Sequence, residues 1–247
     1  MAPARTSTST RMVLLAAGLG LSARATFIDN TQPRLDSTGA ILDGHDCTLQ
    51  KLTVDGVTRY WLHTIQYGTC LEPNGMGCNT STVDHCGFRP DHNITIWTST
   101  DLSSGSWEYV GLALKWTDRP AGTIFRPDLS FVKSTGTWVL WWNWVAKNGS
   151  YMGYAAATAS TPAGPFTLQV DVVPGLVANN HSWHGGDYHR FVDDDGVPYV
   201  IYSSNHYMFI DQLADDQLSG IGKVRLSRAI APGRSDGGRA VVCEHRK

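Results

Sequence analysis

Three observations predict an all-β chain. Short apolar-alternating runs recur along the sequence, turn dipeptides break them, and almost no helical period appears past the N-terminus. The runs come as strand–turn–strand units that open near an aspartate, at Asp46, Asp128 and Asp187, spaced by 82 and 59 residues. A degenerate repeat of this size, about four short strands long, is the signature of a propeller blade. Strands every 8–12 residues or so also build a β-sandwich, so the pattern alone leaves both architectures open.

Residues 1–25 read as a secretory signal. Arg5 and Arg11 supply the positive region, Met12–Leu21 the apolar run, and Ala23-Arg24-Ala25 the small-x-small cleavage site. Past it, Thr48–Val54, the Asp55-Gly56 turn and Thr58–Thr64 form the first predicted hairpin. Ile94–Ser99 and Trp107–Leu112 are the next strands, flanking Asp101-Leu102. Leu129–Lys133, Ser134-Thr135-Gly136 and Thr137–Trp144 repeat the hairpin, as do His189–Val192, Asp193–Gly196 and Val197–Ser203. The two-residue period puts Trp138, Leu140, Trp142 and Trp144 on one strand face and Val139 and Trp141 on the other. Asp193-Asp194-Asp195 reads as a solvated hairpin turn, since Asp-Gly favours such turns.

Composition narrows the function. The chain has 247 residues, 20 Lys+Arg against 22 Asp+Glu, 17% charged residues, 9 Trp, 9 Tyr and 7 Phe. Near-neutral charge without a basic cluster argues against nucleic-acid binding. The wealth of aromatics argues against disorder, and no apolar run is long enough to span a membrane. Asn79, Asn93, Asn148 and Asn180 open glycosylation sequons, in keeping with secretion. Of the five cysteines, Cys70, Cys78 and Cys86 are spaced by eight residues, which suits disulfides in an oxidising compartment better than a zinc site. Cys47 and Cys243 complete the set; the odd thiol is assigned to Cys243.

Several segments, in order, resemble the five-bladed β-propeller glycoside hydrolases of family 43. They are NTQPRLDSTGAILDGHDCTLQKL (30–52), WTSTDLSSGSWEYVGLAL (97–114), FRPDLSFVKSTGTWVLWWNW (125–144), GYAAATASTPAGPF (153–166) and GGDYHRFVDDDGVPYVIYSS (185–204). The resemblance runs from Asn30 to about Ser219 and favours the propeller over the sandwich. Five units at a mean spacing of about 70 residues need roughly 350, whereas 202 lie between 46 and 247. About three blades are therefore expected, as a partial propeller domain over 26–222, with an irregular Arg/Gly-rich tail over 223–247.

The resemblance implies a cofactor-free inverting glycosidase acting on plant cell-wall arabinan, xylan or galactan; such propellers can hold a central calcium, but no metal-site residues are assigned from the sequence. Inversion uses one carboxylate as base toward water and one carboxylic acid toward the leaving oxygen, about 6.5–9.5 Å apart. Asp46, after His45, matches the base, and Asp187 the carboxylate that orients the acid and tunes its pKa. Glu244 lies where the acid is expected, but His245-Arg246-Lys247 stand where the family has Ala-Pro and a strand. Asp128, Trp142 and His45 are the candidate substrate contacts, and Trp61, Trp141 and Trp144 are further aromatic platforms or core residues. His181, His184 and His189 match no standard metal spacing, and neither an esterase elbow nor a zinc-protease motif occurs. The expected protein is a secreted monomer whose partner is a polysaccharide or oligosaccharide. The alternative is a sugar-binding propeller fragment without turnover.

Overall fold

The computed structural model describes residues 31–66, 92–146, 149–177, 185–204 and 207–227, the side chains of 224–227 excepted. Among the described residues twelve strands form three four-stranded antiparallel sheets, with one 3-10 turn (Trp116–Asp118) between the first two. The first sheet is a meander of β1 (His45–Val54), β2 (Val57–Ile65), β3 (Ile94–Ser99) and β4 (Glu108–Leu114). The second contains β5 (Gly122–Val132), β6 (Thr137–Ala146), β7 (Met152–Ala159) and β8 (Thr167–Val170). The third contains β9 (Tyr188–Val192), β10 (Pro198–Ser204), β11 (Tyr207–Leu213) and β12 (Gly220–Ser227). The predicted hairpins all form, with ends within a few residues of expectation except that β5 begins at Gly122, seven residues before the expected Leu129. Among the described residues no helix is long and apolar enough to cross a membrane.

The first strands of successive sheets touch, β1 against β5 and β5 against β9, and each sheet adds its later strands in chain order away from the first. The middle sheet is covered on both faces. Leu140, Trp142 and Trp144 join Trp61, Ile65, Ile94 and Ile96 of the first sheet in one core cluster. Val139 and Trp141, one residue out of phase, join Val200, Tyr202 and Phe209 of the third sheet in another. The strand's alternation thus sends every second side chain into a different seam. β7 fits between the seams because Ala155, Ala156 and Ala157 are small enough for both neighbours to close on it.

Polar groups reinforce the seams. Gln50 of β1 donates to the Leu129 carbonyl of β5 at 2.6 Å. Arg190 of β9 reaches Asp128 of β5. The Asp193–Gly196 segment is the exposed turn expected from its sequence, with the Gly196 amide donating to the Asp193 carbonyl at 2.8 Å and Gly196 at φ 84°.

One boundary moves. The folded part was expected to stop at 222, yet β12 runs to Ser227 and completes the third sheet. Its Gly and Lys content hides it, because β12 lies at a sheet edge and has only one paired neighbour. The N-terminal signal, the Asn79 and Asn180 sequons, Asn148 itself, Cys70, Cys78, Cys86 and the tail from 228 on lie outside the described residues.

Candidate active site

Asp46 is the second residue of β1, Arg126 lies at a bulge inside β5 and Asp187 immediately precedes β9, and each is held by a specific local device. At Asp46 the β1 ladder bulges between His45 and Cys47, and Asp46 takes φ 44°. Left-handed backbone is uncommon outside glycine and tolerated best by Asp and Asn. The Thr64 hydroxyl donates to the His45 carbonyl at 2.8 Å and fixes the bulge from β2. Gly44 permits this closeness, since a Cβ there would lie 2.6 Å from Thr64 Cγ2. The Asp46 carboxylate remains 32% exposed, 4.0 Å from His45 Nδ1.

Asp187 is presented by the glycine pair before it. Gly185 lies against the Tyr154 ring, where a Cβ would come within 2.5 Å. Its carbonyl accepts from Asn143 Nδ2 at 3.0 Å, and the Gly186 carbonyl accepts from the Tyr154 hydroxyl at 3.0 Å. On the other side the Gly186 amide donates to the Ser203 carbonyl at 2.7 Å, and the Ser203 amide to the Asp187 carbonyl at 3.0 Å. The backbone is therefore clamped between the second and third sheets while the Asp187 carboxylate stays 76% exposed.

Arg126 joins these groups, and sequence reasoning missed it. A second bulge, between Phe125 and Asp128, carries it at φ 50°. Its Nη2 lies 2.8 Å from Asp187 Oδ1, and its carbonyl accepts from the buried Tyr188 hydroxyl at 2.9 Å. Burial pushes the His45 imidazole below its ordinary pKa, Asp46 and Asp43 oppose the shift, and Arg126 adds to it. Arg126 is thus within electrostatic reach of the first sheet's tip while ion-paired to the third's. Two of the five non-glycine residues with positive φ among the described residues are Asp46 and Arg126, and strained backbone of this kind is characteristic of functional sites. No sequence signal marks an arginine that adopts this conformation before a proline.

The other expected contacts lie elsewhere. Asp128 has a carboxylate only 12% exposed. Arg190 Nε donates to its Oδ2 at 2.9 Å, and Arg190 Nη2 to its carbonyl at 2.7 Å. This places Asp128 in a buried inter-sheet pair, with His189 Nδ1 4.0 Å from the other oxygen. Trp142 is fully buried in the core, as is Trp141, and Trp61 and Trp144 are also buried, so none offers a face to a sugar. Their strand facing was read correctly, but both faces of the middle sheet are covered. His45 does sit beside Asp46, in an edge-on contact with His92 at 5.9 Å between ring centres. His189 is exposed on β9. Glu244, His181 and His184 lie outside the described residues. Among the described residues no group of three or more His, Cys, Asp and Glu could hold a metal ion.

The exposed Asp187 paired with Arg126, and the half-buried Asp46 beside His45, are groups that can hold sugar hydroxyls, and a carboxylate can take a proton from water. The fold is shared with an exo-β-1,3-galactanase from Clostridium thermocellum, at TM-score 0.56 and 23% identity over 81% of this chain and 40% of that one. The fold is that of the family 43 glycoside hydrolases. The exo-β-1,3-galactanase of Phanerochaete chrysosporium, solved with galactose, matches at TM-score 0.57 and 18% identity, over 76% of this chain and 39% of that one. A family 43 β-1,3-galactosidase, solved with galactodeoxynojirimycin, matches at TM-score 0.57 and 24% identity, over 78% and 64%. The chain therefore spans less than two thirds of each of these proteins. No protein-family model and no curated protein matches the chain.

Proposed function

We propose that the chain is the site-bearing part of an extracellular glycoside hydrolase that acts on galactan, with a β-linked galactosyl unit held at Asp46, Arg126 and Asp187. The observation that carries this reading is the ion pair of Arg126 with Asp187 at the meeting point of the central strands, 2.8 Å long and open to solvent. Galactan is favoured over arabinan and xylan because the similar folds are those of galactanases and galactosidases, one of them holding galactose.

In this reading Asp46 accepts a proton from water as the water oxygen attacks the anomeric carbon. A carboxylic acid protonates the departing glycosidic oxygen, and the product has the inverted configuration. Asp187, oriented by Arg126, fixes sugar hydroxyls and the acid. Glu244 is the candidate acid. Binding without turnover is the second reading, in which Asp46, Arg126 and Asp187 hold a sugar and no bond is broken.

Release of galactose from β-1,3-galactan distinguishes the two. Hydrolysis by the chain, reduced at least a few hundred-fold in Asp46→Ala, is expected of the enzyme, since losing a general base costs about 10²–10⁴-fold. Unchanged turnover in Asp46→Ala removes Asp46 from the mechanism. Binding of β-1,3-galactotriose with no release of galactose selects the second reading.

A further inference from the structure

The register of the first sheet lines up His45 with Ile65, Ile65 with Ile94, and Ile94 with Leu114 in one row across the strands. The turn after Leu114 therefore stands on the same rim as Asp46, three strand spacings outward, or about 14 Å. That turn carries Trp116, which is 47% exposed. Every other tryptophan among the described residues is buried or half-buried. An exposed indole on this rim offers an apolar face to solvent.

Its base is fixed. The Trp116 amide donates to Asn93 Oδ1 at 2.9 Å, and Asn93 Nδ2 donates to Gln66 Oε1 at 2.7 Å. Beneath the turn the buried Arg119 guanidinium donates to the carbonyls of His92 at 2.7 Å and of Gly122 at 2.9 Å. The turn is thereby tied to β3 and to the start of β5. Thr117 and Asp118, the next two residues of the turn, are joined by a 2.9 Å hydrogen bond and supply hydroxyl and carboxylate oxygens on the same turn. A rigid aromatic offers contact area at low conformational-entropy cost, and polar neighbours fix orientation.

We propose that Trp116 is an outlying sugar platform, taking the apolar C–H face of a galactosyl unit several residues along the chain from the one held at Asp46 and Asp187. The proposal rests on the galactan reading above. It distinguishes polymer from monosaccharide, because only a ligand that reaches across the first sheet touches both places.

Calorimetric titration of the full chain with galactose and with β-1,3-galactan tests it, using Trp116→Ala, Trp116→Phe and Asp187→Asn. Trp116→Ala is expected to weaken the polymer about five- to tenfold, as losing one anchoring aromatic does, and to leave galactose affinity unchanged. Trp116→Phe retains most polymer affinity, and Asp187→Asn weakens both ligands. Wild-type polymer affinity in Trp116→Ala overturns the platform while leaving the galactan reading intact. Equal loss of both ligands in Trp116→Ala also overturns it. A wild-type chain that binds neither ligand overturns the galactan reading and the platform with it.

Discussion

His63 shows how the packing dictates the chemistry of a single side chain. It sits on β2 facing the seam with the second sheet, fully buried, and its Nε2 lies 2.8 Å from the Pro162 carbonyl. Because a carbonyl only accepts, Nε2 carries the hydrogen and Nδ1 is the bare nitrogen. The Phe166 ring meets the imidazole edge-on at 6.3 Å. Burial lowers the pKa from 6.5 to about 4. The unfolded chain therefore binds the proton more readily between these values, so stability is complete above about pH 6.5, declines as pH falls, and levels off below about pH 4. The shift corresponds to about 3 kcal/mol. Urea unfolding of His63→Gln, which can still donate to Pro162 but cannot titrate, is expected to lose most of this part of the difference between pH 7 and pH 4. Identical pH dependence in the two proteins would count against it. The same scale shows where sequence reading ends. Asp46 and Asp187 are legible as residues that open strands, whereas Arg126 is not, because its role depends on a bulge and a left-handed backbone that no periodicity encodes.

Among the elements, β5 is joined to β9 and the residue before it by two charged pairs. Arg126–Asp187 is open to solvent, and Asp128–Arg190 lies buried beyond it. Arg190 also donates to the Val139 carbonyl at 3.0 Å, and its guanidinium lies 5.1 Å from the Trp141 ring centre. Gln217 donates nothing to Arg190 but accepts from it, and its own carbonyl accepts from Trp141 Nε1 at 2.8 Å. Removing one partner of such a pair leaves a buried charge, at a cost of about 3–5 kcal/mol. Arg190→Met is expected to lose about that much in urea unfolding, and Asp128→Leu with Arg190→Met to recover most of it. A loss below about 1 kcal/mol in the single variant would show the pair to be dispensable. Asp128 read from its neighbours resembles a substrate contact, since only the partner strand reveals that its carboxylate is occupied. The strands themselves were more legible: alternation located β1, β2, β6 and β10 to within a few residues. It passed over β7, whose alanines carry no polar–apolar contrast.

At the scale of the whole molecule, the decisive feature is that the three sheets are joined through their first strands, which pairs Arg126 with Asp187 and brings Arg126 within electrostatic reach of His45, next to Asp46, although these residues are far apart in sequence. Repeat spacing made the sheets predictable, but it could not show how many faces each sheet buries. That is why Trp142, on a correctly assigned strand face, became a core residue, and why the exposed Trp116 was passed over in an irregular turn. It is also why Asn93, a sequon by sequence, has its side-chain amide committed to Gln66 and the Trp116 turn.

The most direct test is a crystal structure of the chain soaked with β-1,3-galactotriose. A galactosyl ring is expected against the carboxylates of Asp46 and Asp187 and the guanidinium of Arg126. A ligand bound away from all three, or an empty centre at saturating ligand, would contradict the convergence of the three strand tips on a sugar site.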